Sequence, residues 1–334
     1  MVFQFPKLRV AILDDYQDVV RTLDCFSTLQ GHEVTVWNDS VTDVDVLAQR
    51  LVDADVLVLL RERTRVDEAL LSRLPNLKLI SQNGHVPHID LAACTRHGIV
   101  VSSALTSRPS YPTVEFTWGL ILAAMRNIPL ESAALRQGVW QSTVGLGLRG
   151  RTLGIYGFGR LGSMVARIGA AFGMNLLVWG RQGSMDRAQA EGFPVATSKE
   201  AFFAQSDVLS LHLRLNAETV GLIGLEELAL MKPTALLVNT SRAELIKPGA
   251  LVAALREGRP GKAAIDVFEH EPLTDPADPL LLQPNALCTP HLGYVERDNY
   301  EFGYGNAFDQ IVAFARGTPI NVHNTDVLKQ GEVK

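Results

Sequence analysis

Three glycines near the middle of the chain, Gly157, Gly159 and Gly162, have the spacing G-x-G-x-x-G. An apolar run at 152–156 precedes them and apolar residues with helical spacing follow at 163–172, so the glycines join a predicted strand to a predicted helix. In that context the first glycine allows the tight turn, the second lets a pyrophosphate approach bare backbone, and the third lets helix and strand pack closely. The pattern predicts a dinucleotide site and favours it over an ordinary glycine-rich turn.

Three ionisable side chains later in the chain each come shortly after a predicted strand. Arg242, Glu271 and His291 follow the fourth, fifth and sixth strands of the series that begins at the glycine turn. Taken alone, an arginine is usually a solvated surface residue, and a single histidine is more often structural than catalytic. Ligands of parallel α/β sheets bind at the carboxyl ends of the strands. The shared placement of the three residues at that edge therefore indicates a functional site.

The elements that must position these residues form a second series of alternating strands and helices. Its predicted strands are 152–156, 176–179, 208–211, 235–239, 263–267 and 286–288. Six strands with the glycine turn after the first are expected for a dinucleotide-binding sheet. An apolar helix at about 113–126 precedes the series, and a polar stretch continues to Trp140. A last helix at 294–316 follows the sheet, so we expect it to return to the first domain, with a ligand cleft between the two domains.

The first hundred residues also alternate strand and helix patterns, which implies parallel strands with helices on both sheet faces. The predicted strands are 8–13, 34–37, 56–60, 77–81 and 99–101. The predicted helices between them are 44–51, 66–73 and 89–96. Asp43 and Asp90 stand at helix starts, where a carboxylate suits the exposed amides and the helix dipole. We therefore expect a small α/β domain of five strands.

Composition narrows the class of protein. The 334 residues are 47% hydrophobic and 20% charged, as in an ordinary globular protein of two domains. A net charge of -5 without a Lys/Arg cluster argues against a nucleic-acid partner. No apolar stretch is long enough to span a membrane, and no signal peptide is visible at the start. Cys25, Cys94 and Cys288 are scattered, which predicts reduced thiols, no metal site and a cytoplasmic location.

Four motifs, in order and well separated, give the chain its resemblance to the D-isomer-specific 2-hydroxyacid dehydrogenase family, over nearly its full length. They are the glycine turn at 154–162, Asn-Thr-Ser-Arg at 239–242, Asp-Val-Phe-Glu-x-Glu-Pro at 266–272 and Thr-Pro-His-x-Gly at 289–293. The resemblance implies an α/β fold with two doubly wound parallel-sheet domains. A Rossmann NAD(P)-binding domain at 105–292 is expected to be inserted in a flavodoxin-like substrate domain made of 1–104 and 293–334.

The resemblance also implies roles for individual residues. Arg242, Glu271 and His291 would be catalytic, and Arg242 would also bind the substrate. Gly84 and His85 would lie on the substrate side, although Asn83-Gly84-His85 replaces the usual Gly-x-Gly segment and an ordinary turn is an equal alternative. The residues expected to bind the coenzyme are Gly157, Phe158, Gly159, Arg160, Leu161, Gly162, Gly180, Arg181, His212, Thr219, Thr240, Ser241, Asp266 and Gly293.

The chemistry of a 2-keto acid agrees with these roles. The guanidinium of Arg242 matches a carboxylate and can also polarise the carbonyl oxygen. Since the ordinary pKa of an imidazole lies near neutrality, His291 can give a proton in reduction and take it back in oxidation. Glu271 would stabilise the protonated imidazolium and fix the orientation of the ring. The backbone amides of 83–86 could add hydrogen bonds to the substrate carboxylate.

The second strand of the coenzyme sheet ends without the Asp or Glu that usually holds the ribose hydroxyls of NAD. The chain continues Gly180-Arg181-Gln182 there, and the first acidic residue after it is Asp186. A guanidinium suits the 2′-phosphate of NADP, so the sequence favours NADP(H). In the alternative, Arg181 stacks on the adenine and NAD(H) binds.

The function expected from these observations is NAD(P)-dependent hydride transfer between a D-2-hydroxy acid and its 2-keto acid. Reduction of a glyoxylate- or hydroxypyruvate-type substrate is the leading prediction. The alternatives are a D-3-phosphoglycerate dehydrogenase, which should need extra cations near the substrate phosphate, and a nucleotide-sensing, corepressor-like binding protein on the same fold. By resemblance, residues 137–149 belong to a homodimer contact between coenzyme domains.

Overall fold

The computed structural model describes residues 7–105 and 111–329 and divides the chain into two compact units. The first unit combines residues 1–109 with 296–334, and the second is formed by 110–295. The N-terminal unit is therefore discontinuous, and its last part comes after the second unit. The breaks lie within a few residues of those expected at 104/105 and 292/293.

The described residues contain eleven strands and eleven α-helices. The strands are β1 (Arg9–Ile12), β2 (Glu33–Val36), β3 (Val56–Val58), β4 (Leu79–Asn83), β5 (Val100–Ala104), β6 (Thr152–Tyr156), β7 (Asn175–Trp179), β8 (Val208–Leu211), β9 (Leu236–Asn239), β10 (Lys262–Ile265) and β11 (Ala286–Cys288). The helices are α1 (Val44–Leu51), α2 (Glu68–Leu71), α3 (Leu91–Arg96), α4 (Tyr111–Met125), α5 (Ile128–Arg136), α6 (Arg160–Ala171), α7 (Gln182–Ala190), α8 (Lys199–Gln205), α9 (Leu225–Ala229), α10 (Ala250–Arg256) and α11 (Arg297–Ala315). Short 3-10 helices cover Val20–Thr22, Asp24–Leu29, Ala243–Leu245 and Thr325–Lys329.

The N-terminal unit is built on a five-stranded parallel sheet with the order β2-β1-β3-β4-β5, which is the flavodoxin-like order. Asp43 caps α1 by accepting from the backbone N–H groups of Asp45 and Val46, as its position predicted. Helix α11 packs on β4 and β5. Its fully buried Gln310 donates from Nε2 to Ser81 Oγ at 2.8 Å, so the last helix is hydrogen-bonded into the sheet of this unit.

The second unit contains a six-stranded parallel sheet with the order β11-β10-β9-β8-β6-β7. A single parallel bridge joins Val178 of β7 to Val195 on the outer side of the sheet. Counting that bridge as a vestigial strand, the sheet has the Rossmann order, with the first strand flanked by the second and the fourth. Pro194 lacks a backbone N–H, which limits pairing at this edge. The predicted α/β fold with a Rossmann sheet is confirmed.

Several predicted bounds shift by two or three residues, and two differences concern helices of the second unit. The stretch before Trp140, described from the sequence only as polar, contains α5, whose apolar side chains Ile128, Leu130 and Leu135 are exposed. Asn127, in a left-handed conformation with φ 54°, separates it from α4. Helix α6 begins at Arg160 rather than 163, because the glycine motif itself supplies its first turn. Within the described residues, no helix has the length and apolar character that crossing a membrane requires.

Candidate active site

The glycine turn has the shape that a dinucleotide needs. Gly157 has φ +97°, and a Cβ there would lie 2.7 Å from the carbonyl oxygen of His212. A Cβ on Gly162 would collide with the carbonyl oxygen of Gly157, so strand and helix can pack this closely only with glycine. A Cβ on Gly159 would meet nothing within 4 Å, so its backbone faces open space. Gly159 is also the N-cap of α6, whose first amides are available to an anion, and the turn therefore fits a bound pyrophosphate.

The predicted catalytic residues follow three adjacent strands of the same sheet. Arg242 comes after β9, Glu271 after β10 and His291 after β11. His291 Nδ1 lies 2.6 Å from Glu271 Oε2, and the two side chains are 21% and 24% exposed. Glu271 Oε1 accepts from the backbone N–H of Phe268 at 3.0 Å, which fixes the carboxylate. Because Nδ1 faces Glu271, Nε2 is the ring nitrogen that can exchange a proton with a substrate.

Arg242 sits in a turn that Asn239 closes from the end of β9. The buried Asn239 accepts from the N–H of Ser241 at 3.0 Å and donates from Nδ2 to the carbonyl oxygen of Arg242 at 2.9 Å. Arg242 Nη1 donates to the carbonyl oxygen of Ser241 at 2.8 Å, so its side chain is anchored beside the turn. Asn239 thus positions Arg242, a role that the sequence analysis did not assign.

Asp266 holds the segment that carries His291. Its carboxylate accepts from Thr289 Oγ1 at 2.6 Å and from the backbone N–H groups of Leu292 and Gly293, each at 2.8 Å. Burial raises the pKa of the Asp266 carboxyl, while these hydrogen bonds and the nearby His291 oppose the rise. His291 has φ +54°, a left-handed conformation that needs such support in a non-glycine residue. The carboxylate expected beside the coenzyme therefore also fixes the histidine loop.

His212, at the end of β8, leaves a buried polar atom unsatisfied. Its Nε2 lies 2.9 Å from Ser210 Oγ, while Nδ1 has no hydrogen-bond partner in residues 7–105 and 111–329. Burial lowers the pKa of His212 to about 4, so the ring is neutral at pH 7. Buried polar groups are almost always hydrogen-bonded, which makes Nδ1 a fitting partner for a bound ligand beside the glycine turn.

The remaining predicted coenzyme residues near the strand ends have internal partners. Thr117 Oγ1 of α4 donates to the carbonyl oxygen of Thr113 at 2.7 Å and lies 2.9 Å from Thr240 Oγ1. Since Thr117 has a single hydroxyl hydrogen, Thr240 must be the donor of that pair, so the Thr240 hydroxyl could serve a ligand only as an acceptor. Ser241 Oγ donates to the carbonyl oxygen of Leu211, and Thr219 Oγ1 to that of Arg214, both at 2.7 Å.

Gly180 and Arg181 follow β7, as expected. Arg181 is the N-cap residue of α7, its side chain is 76% exposed, and its Nη1 lies 3.4 Å from Glu218 Oε2. Gly180 packs against Ser184, where a Cβ would approach the hydroxyl to 3.1 Å. Phe158 is buried, and its backbone groups are bound by side chains of α7.

Gly84 and His85 belong to the N-terminal unit, after β4. Gly84 has φ +112°, its N–H donates to the carbonyl oxygen of Ala104 at 2.9 Å, and its own carbonyl oxygen accepts from Ser103 Oγ at 2.6 Å. Gln82 Nε2 donates to the carbonyl oxygen of His85 at 2.8 Å. The segment is a well-fixed turn, and its contact with a substrate stays a prediction. No group of three His, Cys, Asp or Glu side chains in the described part of the chain is arranged to hold a metal ion.

Comparison with known proteins agrees with this geometry. The model of the NAD-binding domain of D-isomer-specific 2-hydroxyacid dehydrogenases matches residues 118–293. A protein named glyoxylate reductase from Aeropyrum pernix is 40% identical over 313 residues, which cover 89% of this chain and 91% of that protein. A D-3-phosphoglycerate dehydrogenase from Methanocaldococcus jannaschii is 36% identical over 295 residues, 86% of this chain but 56% of that longer protein.

A solved structure gives the same result for the fold. An oxidoreductase from Ralstonia solanacearum, described provisionally as a D-3-phosphoglycerate dehydrogenase, has a TM-score of 0.92 to this chain and 52% sequence identity. The match covers 96% of this chain and 98% of that one. Family match, sequence identity and site geometry lead to one conclusion. The chain belongs to the D-isomer-specific 2-hydroxyacid dehydrogenase family of nicotinamide-dependent oxidoreductases.

Proposed function

We propose that this dehydrogenase works as a 2-ketoacid reductase on small substrates of the glyoxylate or hydroxypyruvate type. The observation that carries the proposal is the His291–Glu271 pair, with 2.6 Å between Nδ1 and Oε2, at the strand-end edge that also holds Arg242. Such a pair leaves Nε2 of the imidazole as a proton donor of fixed direction. The glyoxylate reductase from Aeropyrum pernix, which matches nearly the full length of the chain, supports the substrate class.

The geometry supports the following roles for the residues. Arg242 binds the carboxylate of the keto acid and polarises the carbonyl oxygen. The glycine turn and the first amides of α6 would hold the coenzyme, whose nicotinamide would supply the hydride for the carbonyl carbon. His291 donates a proton from Nε2 to the carbonyl oxygen, and Glu271 stabilises the imidazolium and holds the ring through Nδ1. In the oxidative direction the same nitrogen takes the hydroxyl proton back.

A substrate panel tests the proposal. Steady-state rates are measured for glyoxylate, hydroxypyruvate, phenylpyruvate and phosphohydroxypyruvate, each with NADPH and with NADH. We expect the highest kcat/KM for glyoxylate or hydroxypyruvate. The highest value for phosphohydroxypyruvate would instead assign a D-3-phosphoglycerate dehydrogenase, the second candidate, which the names of two compared proteins favour. Tight coenzyme binding with no turnover of any of the four acids would indicate a nucleotide-sensing binding protein.

We propose further that NADP(H) is the preferred coenzyme, because Arg181 stands where a carboxylate would select NAD(H). Arg181→Ala should lower the ratio of kcat/KM with NADPH to that with NADH by about tenfold or more, since charge-assisted hydrogen bonds to the 2′-phosphate are lost. The control is Arg167→Ala, which removes an exposed arginine of α6 paired with Glu191. A wild-type kcat/KM with NADH equal to or above that with NADPH would contradict the proposed preference for NADP(H).

We propose a homodimer because the second unit, which carries the glycine turn, has an exposed apolar surface. The exposed residues of this surface are Ile128, Leu130, Leu135, Val139, Trp140 and Val144. Trp140 is 74% and Val144 95% exposed, although Glu131 fixes the segment between them through Ser142 and Thr143. An ordered segment that presents this much apolar surface is typical of a contact with a partner, here a second copy of the chain.

The double substitution Trp140→Asp and Val144→Asp should convert a dimer into a monomer, because charges would be buried without partners at the contact. Sedimentation velocity gives the mass of each species. Leu282→Asp is the matched control, since Leu282 is a 63% exposed leucine of the same unit outside this surface, and it should leave the dimer intact. A wild-type protein that sediments as a monomer at micromolar concentration would remove the proposal.

A further inference from the structure

Phe158, the residue between the first two glycines of the turn, is bound through its backbone and its ring. Its N–H donates to Ser184 Oγ at 2.6 Å. Its carbonyl oxygen accepts from Arg187 Nε at 3.3 Å and from Arg187 Nη2 at 3.2 Å. The residue is 1% exposed, and its ring packs on Phe193 with 5.4 Å between the centroids. Both polar groups of this residue are therefore engaged by one neighbouring helix, α7.

Gly180, just before the N-cap of α7, makes the contact between Ser184 and Phe158 possible. A Cβ at Gly180 would lie 3.1 Å from both Cβ and Oγ of Ser184 and 3.7 Å from the Cα of Gly157. Without that side chain, Ser184 approaches the glycine turn closely enough to accept from Phe158. The packing of Ser184 therefore explains the glycine at position 180 independently of any ligand.

This arrangement decides which backbone groups face the coenzyme. The N–H of Phe158 points to Ser184, so the anion-binding amides are those that follow Gly159 at the start of α6. Phe158 connects Gly157, with φ +97°, to the open backbone of Gly159 through two peptide groups, one carrying the Phe158 N–H and the other its carbonyl oxygen. Because the N–H of the first peptide group and the carbonyl oxygen of the second are both hydrogen-bonded, the orientation of both groups is fixed before a ligand arrives, which lowers the entropy cost of binding.

We propose that Ser184 and Arg187 are positioning residues that hold the glycine turn in its coenzyme-binding shape. This inference rests on the coenzyme site proposed above. The guanidinium of Arg187 is directed at the Phe158 carbonyl oxygen, whereas Arg181 stands at the exposed N-cap of α7. Ser184 and Arg187 therefore support the binding of NADPH and NADH equally, whereas Arg181 is the residue proposed to discriminate between them.

The experiment measures dissociation constants of NADPH and NADH for the full-length protein by isothermal titration calorimetry. Ser184→Ala and Arg187→Gln should each raise both constants by the same factor, about fivefold to tenfold, because a hydrogen bond to the turn is lost. Ser184→Thr keeps the hydroxyl and should restore affinity to within about twofold of wild type. Gln182→Ala is the control. Gln182 lies on the same helix, but its side chain donates to Asp186 and not to the glycine turn.

A second measurement reports on the turn itself. Hydrogen exchange followed by mass spectrometry should show faster exchange of the peptide that contains 157–162 in ligand-free Ser184→Ala, with protection regained when coenzyme is bound. A merely destabilised protein would exchange faster throughout.

Two outcomes would overturn the inference. A rise confined to NADPH would make Ser184 and Arg187 ligands of the 2′-phosphate, and unchanged constants in both variants would show that the turn supports itself. A wild-type protein that binds neither coenzyme would contradict the proposed coenzyme site, which is a different result.

Discussion

His291→Ala lowers the turnover of 2-keto acid reduction by about two orders of magnitude or more, the scale expected for loss of a general acid. We expect so large a loss of turnover because the structure leaves one ring nitrogen of His291, Nε2, for proton transfer. Glu271 occupies Nδ1 at 2.6 Å, and Asp266 holds the loop on both sides of the residue. Alanine removes the proton donor and leaves that framework in place, so the loss should appear in kcat.

A matched control separates this loss from a general effect of removing a paired histidine. His97 Nε2 lies 2.7 Å from Glu68 Oε1 in the N-terminal unit, so His97→Ala also breaks a histidine–glutamate pair. We expect its kcat to stay within about twofold of wild type, because surface pairs contribute little. Steady-state kinetics with glyoxylate and NADPH checks both variants. Near-normal turnover by His291→Ala would show that His291 is not the general acid.

Arg242→Ala is expected to lower kcat/KM by about two orders of magnitude or more, since it removes both the carboxylate partner and a group that polarises the carbonyl oxygen. Arg242→Lys keeps the charge but not the planar fork, so we expect a loss of intermediate size. The measurement is kcat and KM for the keto acid at saturating coenzyme. Arg256→Ala, at the exposed end of α10, serves as the control and should be unaffected. If Arg242→Ala kept near-normal efficiency, the substrate carboxylate would be bound elsewhere.

The sequence was sufficient for the parts of the site that depend on strand order. Residues that follow neighbouring parallel strands must meet at one sheet edge, so Arg242, Glu271 and His291 could be placed on adjacent strands from the pattern alone. The glycine spacing likewise specified a turn whose geometry the structure confirms at Gly157 and Gly162. The glycine spacing is a short-range pattern that a sequence displays directly, whereas the shared edge also depends on the strand order expected of a dinucleotide-binding sheet.

The supporting contacts could not be predicted in the same way. Asp266 and Leu292 are distant in sequence, and nothing near either residue indicates their hydrogen bond. The contact of Ser184 with Phe158 depends on how closely α7 approaches the turn, which only the packed structure defines. Helix α5 was missed because Glu131 and Ser132 interrupt its exposed apolar residues Ile128, Leu130 and Leu135, so its sequence displays no clear helical period.

The hydrogen bond from Gln310 to Ser81 has a consequence for the order in which a nascent chain can fold. Domains usually form as they emerge from the ribosome, the N-terminal one first. Here β4 and β5 lack their covering helix until α11 has been synthesised, after the whole of 110–295. The unit whose residues are made first is therefore the last that can be completed.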